Sequence, residues 1–405
     1  MNIEKGPWKG EGYWFSHYNF LDEVRKNWTL PQKVEIHDAT LRDGEQTPGV
    51  VLRPDEKVAI AEKLAEVGVD RIEAGMPAVS QDDFNAIKKI TSMKLPSKIL
   101  AFARAVPDDI KKVAESGAWG VVIEVPIGYP KLRHQFHKSW EWVLENSIIA
   151  CKAAREAGLH VVYFPYDTTR CDLKEFESLL SGLCKESKPD SIGVIDTVGC
   201  ATPEAMGFLT RFVKKLTGCT VEVHTHNDLG MGAATSLGAI TAGAEVVHVS
   251  VNGLGERTGN TAFEEVALML KGCLGYEMAN LNYSKMKELS ELVASLTGVP
   301  INPNKAVVGN RSFARESGIG IDQVLNFPLS MFNMDPKMVG TKPRVMYGKK
   351  SGVQSVAVKL DELGLTATEQ QKKNILEKIK QSGIDKKGPL TDEEVEAIVR
   401  NGLNK

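Results

Sequence analysis

From residue 31 the chain repeats one rhythm: a short run rich in β-branched and apolar residues, a few polar or glycine positions, then a longer stretch in which apolar residues recur every three to four positions. Runs of the first kind read as strands over 34–37, 71–74, 99–103, 120–125, 160–165, 191–195, 221–226 and 245–251. Amphipathic stretches over 54–67, 81–91, 108–115, 139–157, 173–184, 203–216, 229–241 and 261–271 read as the helices that follow them. Regular alternation of this kind requires parallel strands, because each helix carries the chain back along the sheet. Eight such units predict a closed (β/α)8 TIM barrel over 31–275 rather than a doubly wound open sheet. No G-x-G-x-x-G follows a strand, which argues further against a dinucleotide fold.

Three other regions break the rhythm. Residues 1–30 form an aromatic arm with Trp8, Tyr13, Trp14, Phe15, Tyr18, Phe20 and Trp28, expected to clamp the outside of the main domain or a second subunit. Beyond the barrel, a helix over 281–297, a Pro/Asn-rich connection over 299–304 and the stretch Ser317-Gly318-Ile319-Gly320 predict a linker subdomain over the barrel mouth, spanning 276–355. Residues 356–405 read as a helical C-terminal subdomain, with a helix over 368–381 and a capping box, Thr391-Asp392-Glu393-Glu394, opening the last one.

Composition narrows the class of partner. A net charge of −2, with both signs spread along the chain, gives no case for nucleic acid or an anionic membrane surface. No window of about 18 apolar residues occurs and no basic, then apolar, leader opens the chain. A soluble cytoplasmic protein acting on small molecules is the expectation. The cysteines at 151, 171, 184, 200, 219 and 273 form no C-x-x-C pair and read as reduced structural thiols.

Polar residues gather just after the strands. Val223-His224-Thr225-His226-Asn227-Asp228 places two imidazoles at spacing two, on one face of a strand end, where they can hold a single metal ion. His37-Asp38-Ala39-Thr40-Leu41-Arg42-Asp43-Gly44-Glu45-Gln46 adds a carboxylate, Asp43, beside a guanidinium, Arg42. The carboxyl ends of barrel strands meet at one mouth, so Asp43, His224 and His226 are predicted to converge on a divalent cation. The same ligand set serves non-haem iron oxygenases, but the parallel barrel argues against that class. Mixed N and O donors leave Mg, Mn, Zn and Co open.

Arg42 and Arg104, both near strand ends, are cations suited to a carboxylate or an oxyanion, with Glu73 in Ile72-Glu73-Ala74-Gly75-Met76-Pro77 a candidate anchor for one of them. In Phe164-Pro165-Tyr166-Asp167-Thr168-Thr169-Arg170, Asp167 and Arg170 serve the site or simply pair with each other. The glycine-rich run from Asn252 to Asn260, with Glu256 and Arg257, reads as part of the site or as a solvated loop with a helix cap at Asn260.

Four of these segments, Leu41-Arg42-Asp43-Gly44-Glu45-Gln46, Glu73-Ala74-Gly75-Met76-Pro77, His224-Thr225-His226-Asn227-Asp228 and Gly253-Leu254-Gly255-Glu256-Arg257-Thr258-Gly259-Asn260, match a known set in order and spacing. They resemble the acyl-CoA-dependent metal enzymes of the isopropylmalate synthase and homocitrate synthase family, with citramalate and Re-type citrate synthases as relatives. The likeness covers about residues 33–355. It implies that acetyl-CoA, or another acyl-CoA, forms an enolate that adds to a 2-oxo acid before the thioester is hydrolysed. It implies Asp43, His224 and His226 as metal ligands, Asn260 near or on the ion, Arg42 polarising the oxo acid and Thr197 binding its carboxylate. Gln46, Glu73, Arg104 and Asn260 are expected to join Arg42 and Thr197 in binding the substrate, and the resemblance implies a homodimer.

The chain also departs from that pattern. Gly320 stands where the family has a catalytic histidine, Met331 where it has a tyrosine, Tyr166 where it has a glutamate after the fifth strand, and Lys350 where histidine is usual in Gly348-Lys349-Lys350-Ser351-Gly352. The serine and histidine after the fourth strand are missing from Pro126-Ile127-Gly128-Tyr129-Pro130. Glu256 is therefore expected as the base and Tyr166 as a proton donor. Two alternatives are a lyase or aldolase of the same barrel type and a silent paralogue acting as an assembly subunit. Relatives that cleave 3-hydroxy-3-methylglutaryl-CoA carry a cysteine in the loop after the last strand, which this loop lacks, and the complete metal triad weighs against a silent paralogue. No large effector domain is expected after the helical tail.

Overall fold

The computed structural model describes residues 3–404. The chain divides into two compact units, one of residues 17–301 and one formed by residues through Ser16 together with those from Asn302 onward.

In the first unit, eight parallel strands close into a barrel: β1 (Glu35–Asp38), β2 (Arg71–Glu73), β3 (Lys98–Arg104), β4 (Gly120–Pro126), β5 (His160–Tyr166), β6 (Ser191–Asp196), β7 (Thr220–Thr225) and β8 (Val246–Val249). β8 pairs with both β7 and β1, which leaves no edge. Strands covered by helices outside and packed side chains inside need apolar residues on both faces, which is why they read as continuous runs rather than as alternation. Leu100, Phe102, Val122, Val162, Phe164 and Ile195 form one cluster across β3 to β6.

Helices follow the strands as the periodicity predicts. The first, Pro54–Val67, opens with proline, takes the Glu56 carboxylate onto the Arg53 N–H at 2.8 Å, and stops at Gly68 with φ 93°. Ends differ where loops compete. The last strand was expected to reach residue 251 but stops at Val249, where Asn252 takes a left-handed conformation (φ 60°) and its N–H bonds Glu264 at 3.2 Å. The unit also runs past the expected boundary at 275. Helix Met286–Thr297 buries Met286, Leu289 and Val293; Lys63 reaches Glu288 at 2.6 Å, and Asn252 donates to the Ser290 carbonyl at 3.0 Å.

The aromatic arm is divided. From His17 it belongs to the barrel unit, where Arg25 donates to the carbonyls of Asn19, Cys273 and Leu274 and lies over the rings of Phe20 and Trp28. Residues before it build a hairpin, Lys9–Gly10 with Tyr13–Trp14, in the other unit. There the Trp14 N–H bonds the Asn333 carbonyl at 2.9 Å, the Asp335 N–H bonds the Gly12 carbonyl at 2.7 Å, and Trp8 is buried.

The rest of the second unit holds a short parallel pairing of Ala314–Arg315 with Arg344–Val345 and three longer helices, Val353–Glu362, Glu369–Lys386 and Asp392–Leu403. These close on Tyr347, Val356, Leu360, Ile375, Ile379, Val395 and Val399, a core of its own. The last helix opens on the predicted capping box, with Thr391 N–H to Glu394 at 2.7 Å and Glu394 N–H to Thr391 Oγ1 at 3.3 Å. No described helix is long and apolar enough to cross a membrane.

A candidate metal centre at the barrel mouth

The turn after β1 is built to present two side chains. Asp38 accepts from the Thr40 N–H at 2.9 Å and from its hydroxyl at 3.0 Å, and Thr40 Oγ1 in turn accepts the Val251 N–H at 2.8 Å, fixing the turn to the loop after β8. Arg42 and Asp43 follow, 7% and 2% exposed. Register on β7 puts His224 and His226 on the same inward face.

Asp43, His224 and His226 meet. Asp43 Oδ2 lies 3.1 Å from His224 Nε2 and 3.7 Å from His226 Nε2, and the two Nε2 atoms are 3.2 Å apart. Octahedral donors about 2.1 Å from a small divalent ion sit about 3 Å apart, so this spacing suits such an ion. Four buried atoms of these residues and of Asn260, which bridges to His226, have no hydrogen-bond partner: Asp43 Oδ1, His224 Nδ1, His226 Nδ1 and Asn260 Oδ1. Asn260 spends its amide N–H on the Leu254 carbonyl at 2.9 Å, which leaves its oxygen free. Burial alone would raise the Asp43 carboxyl, but Arg42 and the two imidazoles hold it well below the ordinary carboxylate range. Burial, then His224, pushes His226 down to about 3, keeping the imidazole neutral, the state that can donate to a metal. Donor chemistry, spacing and orphaned oxygens therefore fit a divalent cation.

Arg42 is the other centre of charge. Its Nε and Nη2 grip both oxygens of Glu73 at 2.9 and 3.3 Å, its Nη1 lies 3.1 Å from Asp43 Oδ2, and its plane lies over the Phe102 ring at 4.3 Å. Arg42 overcomes the raising effect of burial on Glu73 and holds it at about 2.

The loop after β8 needs its glycines. Gly259 has φ 89°, and a Cβ there would stand 1.9 Å from the Gly253 carbonyl oxygen; one on Gly255 (φ 155°) would strike the Asn260 amide at 2.4 Å.

Other residues singled out in the sequence are placed differently. Thr197 accepts the Asp167 N–H on its hydroxyl at 2.7 Å and the Arg257 guanidinium on its carbonyl. Asp167 and Arg170 do pair, bidentately, at 2.8 and 2.7 Å. Tyr166 ends β5 half-buried, its phenol pushed up by burial and by Glu124 and Asp167. Gln46 is exposed and lines a cavity of about 420 Å³ with Arg42, Leu41 and Met76. Arg104 turns away: Asp109, in the first turn of helix Pro107–Glu115, takes its guanidinium at 2.7 and 3.0 Å, and its side chain stays 61% exposed. Glu256 is 53% exposed and pairs with Arg257 at 3.2 Å. In the other unit, Gly320 precedes the short helix Ile321–Asn326 with φ 85°, and the Lys350 N–H bonds Glu316.

Two features escaped the sequence reading. Below the mouth, Glu222 accepts from Arg71 (2.8 Å), Ser191 (2.6 Å) and His248 (2.7 Å), while His37 lies between Glu222 and Glu73 and stacks on His248 at 4.0 Å. His37, Glu73 and His248 also cluster at ligand spacing, but Glu73 is already engaged by Arg42 and His248 by Glu222. The second is Glu124 on β4. The signal for both was a charged or histidine residue inside a β-branched run, as in Val122-Ile123-Glu124-Val125 and Val221-Glu222-Val223.

Comparison with known proteins gives concordant results. A family model described as HMGL-like matches residues 33–293, and one described as homocitrate synthase post-HMGL domain-like matches 307–387. The chain is 39% identical to the 2-isopropylmalate synthase of Methanocaldococcus jannaschii, covering 95% of this chain and 74% of the relative. It is 37% identical to the homocitrate synthase AksA of Methanopyrus kandleri, covering 95% and 96%. Among solved structures, the HMG-CoA lyase of Bacillus subtilis superposes with a TM-score of 0.60 at 20% identity, over 67% of this chain and 96% of that one, which speaks for the barrel alone.

Proposed function

The chain belongs to the HMGL-like family, among its isopropylmalate synthase and homocitrate synthase type members, and from that premise we propose how its own residues carry the reaction. It is an acyltransferase that condenses an acyl-CoA with a 2-oxo acid, and the condensing reading is favoured over the lyase. Its chemistry is metal-dependent and uses acetyl-CoA.

The observation that carries the assignment of roles is the convergence of Asp43, His224 and His226 next to a fixed guanidinium. These three hold the divalent ion, Mg, Mn, Zn or Co, and Asn260 Oδ1 faces the same place. When bound, that ion supplies a Lewis acid for the ketone of the oxo acid. Arg42, immobilised by Glu73, adds a second positive group where negative charge develops on the ketone oxygen. Thr197 and the half-buried Tyr166 stand at the ends of neighbouring strands to orient the oxo-acid carboxylate and donate a proton. Arg104 is expected to take part only after leaving Asp109, and Gln46 through the cavity it lines. The enzyme works as a homodimer in the cytoplasm; light scattering on purified protein reads the mass directly.

The test is release of free CoA from acetyl-CoA against pyruvate, 2-oxoisovalerate, 2-oxoglutarate and oxaloacetate, each with added Mn²⁺ or Mg²⁺. Release that needs both substrates and is lost on chelation is the expected result. Breakdown of a hydroxyacyl-CoA with no condensation would overturn it.

A further inference from the structure

Resting on the condensation reading above, we propose that Glu124 is the base that takes the proton from the α-carbon of the acyl-CoA. Geometry sets its direction. Val122, two residues earlier on β4, packs in the cluster of Phe102 and Phe164, and two residues along a strand is the same face. Glu124 shares a rung with Phe164, whose ring meets His224 edge-on at 5.3 Å and lies 5.8 Å from the Arg42 guanidinium. Tyr166 is on that face of β5 two residues nearer the mouth, on the rung of Pro126.

Its bonding state separates it from every other acid in this interior. Glu73 is taken by Arg42, Asp43 by Arg42 and His224, and Glu222 by Arg71, Ser191 and His248. Among the described residues Glu124 makes neither a hydrogen bond nor an ion pair, and it is less completely closed off from solvent than Glu73, Asp43 and Glu222, so a ligand entering the mouth can reach it. A carboxyl left unpaired among paired ones is costly unless a substrate uses it. Burial, together with Asp43, Glu73 and Glu256, outweighs Arg42 and pushes its pKa up to about 7, the range in which a carboxylate is an effective base at neutral pH. Glu256, the base expected from the sequence, sits instead on an exposed loop in an ion pair with Arg257.

In the step, the C–H bond of the acyl α-carbon breaks, its electron pair becomes the enolate and the proton moves to the Glu124 carboxylate. The enolate carbon bonds the ketone carbon while the carbonyl π pair moves onto oxygen beside Arg42. Glu124 returns its proton to that alkoxide, and water then cleaves the thioester C–S bond to give the carboxylic acid and the CoA thiol.

Deuterium wash-in from D₂O into acetyl-CoA, with Mn²⁺ and oxamate as an unreactive mimic of the oxo acid, reads the proton abstraction without the later steps. Wild-type protein is expected to exchange, and Glu124→Gln to lose about 100-fold in exchange and in kcat, with KM for the oxo acid changed less than about threefold. Glu256→Gln is expected to lose less than about fivefold. Exchange in Glu124→Gln within threefold of wild type, an equal loss in Glu256→Gln, or no exchange in the wild type would each overturn the proposal. If Glu124→Gln does not melt cooperatively, Glu124→Asp decides, with at least a tenfold loss expected while oxamate binding is kept. Absence of CoA release alongside Glu124-dependent exchange would overturn the condensation reading and leave this assignment standing.

Discussion

Arg42 is held at three points before any substrate arrives, by both oxygens of Glu73 and by Asp43, with an aromatic ring beneath it. A planar fork fixed in this way costs little reorganisation when charge appears beside it. Lysine keeps the charge but not the fork, so Arg42→Lys is expected to lower kcat/KM by roughly 100-fold or more, with metal content unchanged by elemental analysis. His224→Ala removes one of the three proposed ligands instead and should cut metal affinity at least about 100-fold by titration of the metal-free protein. The acids divide by sign. Glu73, held at about 2, adds stability above its ordinary value of 4.5, and that stability is lost as pH falls from 4.5 towards 2. Asp38 and Glu124, each pushed up to about 7 by burial, add stability below their ordinary values and lose it as pH rises through 7. Glu124→Gln should therefore raise Tm more at pH 8 than at pH 5; an equal change at both would show that the carboxyl is not desolvated.

At the scale of elements, the alternation of runs and amphipathic stretches carried most of the barrel because every strand is covered on both faces and every helix on one. Where the alternation misled, a local side-chain bond had won: Asn252 ended β8 early, and Asp109 turned Arg104 outward. The meeting of Asp43, His224 and His226 in space was legible because strand register and barrel closure bring strand ends together whatever their separation in sequence. Glu124 and the Glu222 network were not, because one charged residue inside a β-branched run has no spacing partner; only closure reveals which other strands it faces. The loop after β8 gives the element its own test. Gly259→Ala forces a Cβ into the Gly253 carbonyl and an alanine into φ 89°, so the loop must move and carry Asn260 with it. A loss of about 2 kcal/mol or more in denaturant unfolding is expected, together with weakened metal binding.

For the whole molecule, the two units each own a core, and the chain passes between them twice, once near Ser16 and once near Ile301. The N-terminal hairpin therefore belongs energetically to residues far along the chain. Trp8 is 4% exposed, and the backbone bonds from Trp14 to Asn333 and from Asp335 to Gly12 tie the hairpin to that distant segment. Burying one tryptophan is worth roughly 3 kcal/mol or more, a large part of the stability of a unit this small. Deleting residues 1–16 should accordingly lower hydrogen-exchange protection across 302–404 while leaving strands β1 to β8 protected as before. Metal affinity should also stay within a few-fold of the full chain, since all three proposed ligands and Arg42 lie in residues 17–301. Equal loss of protection in both units would mean that the hairpin supports the barrel instead, and that the division drawn at Ser16 does not describe how the molecule unfolds.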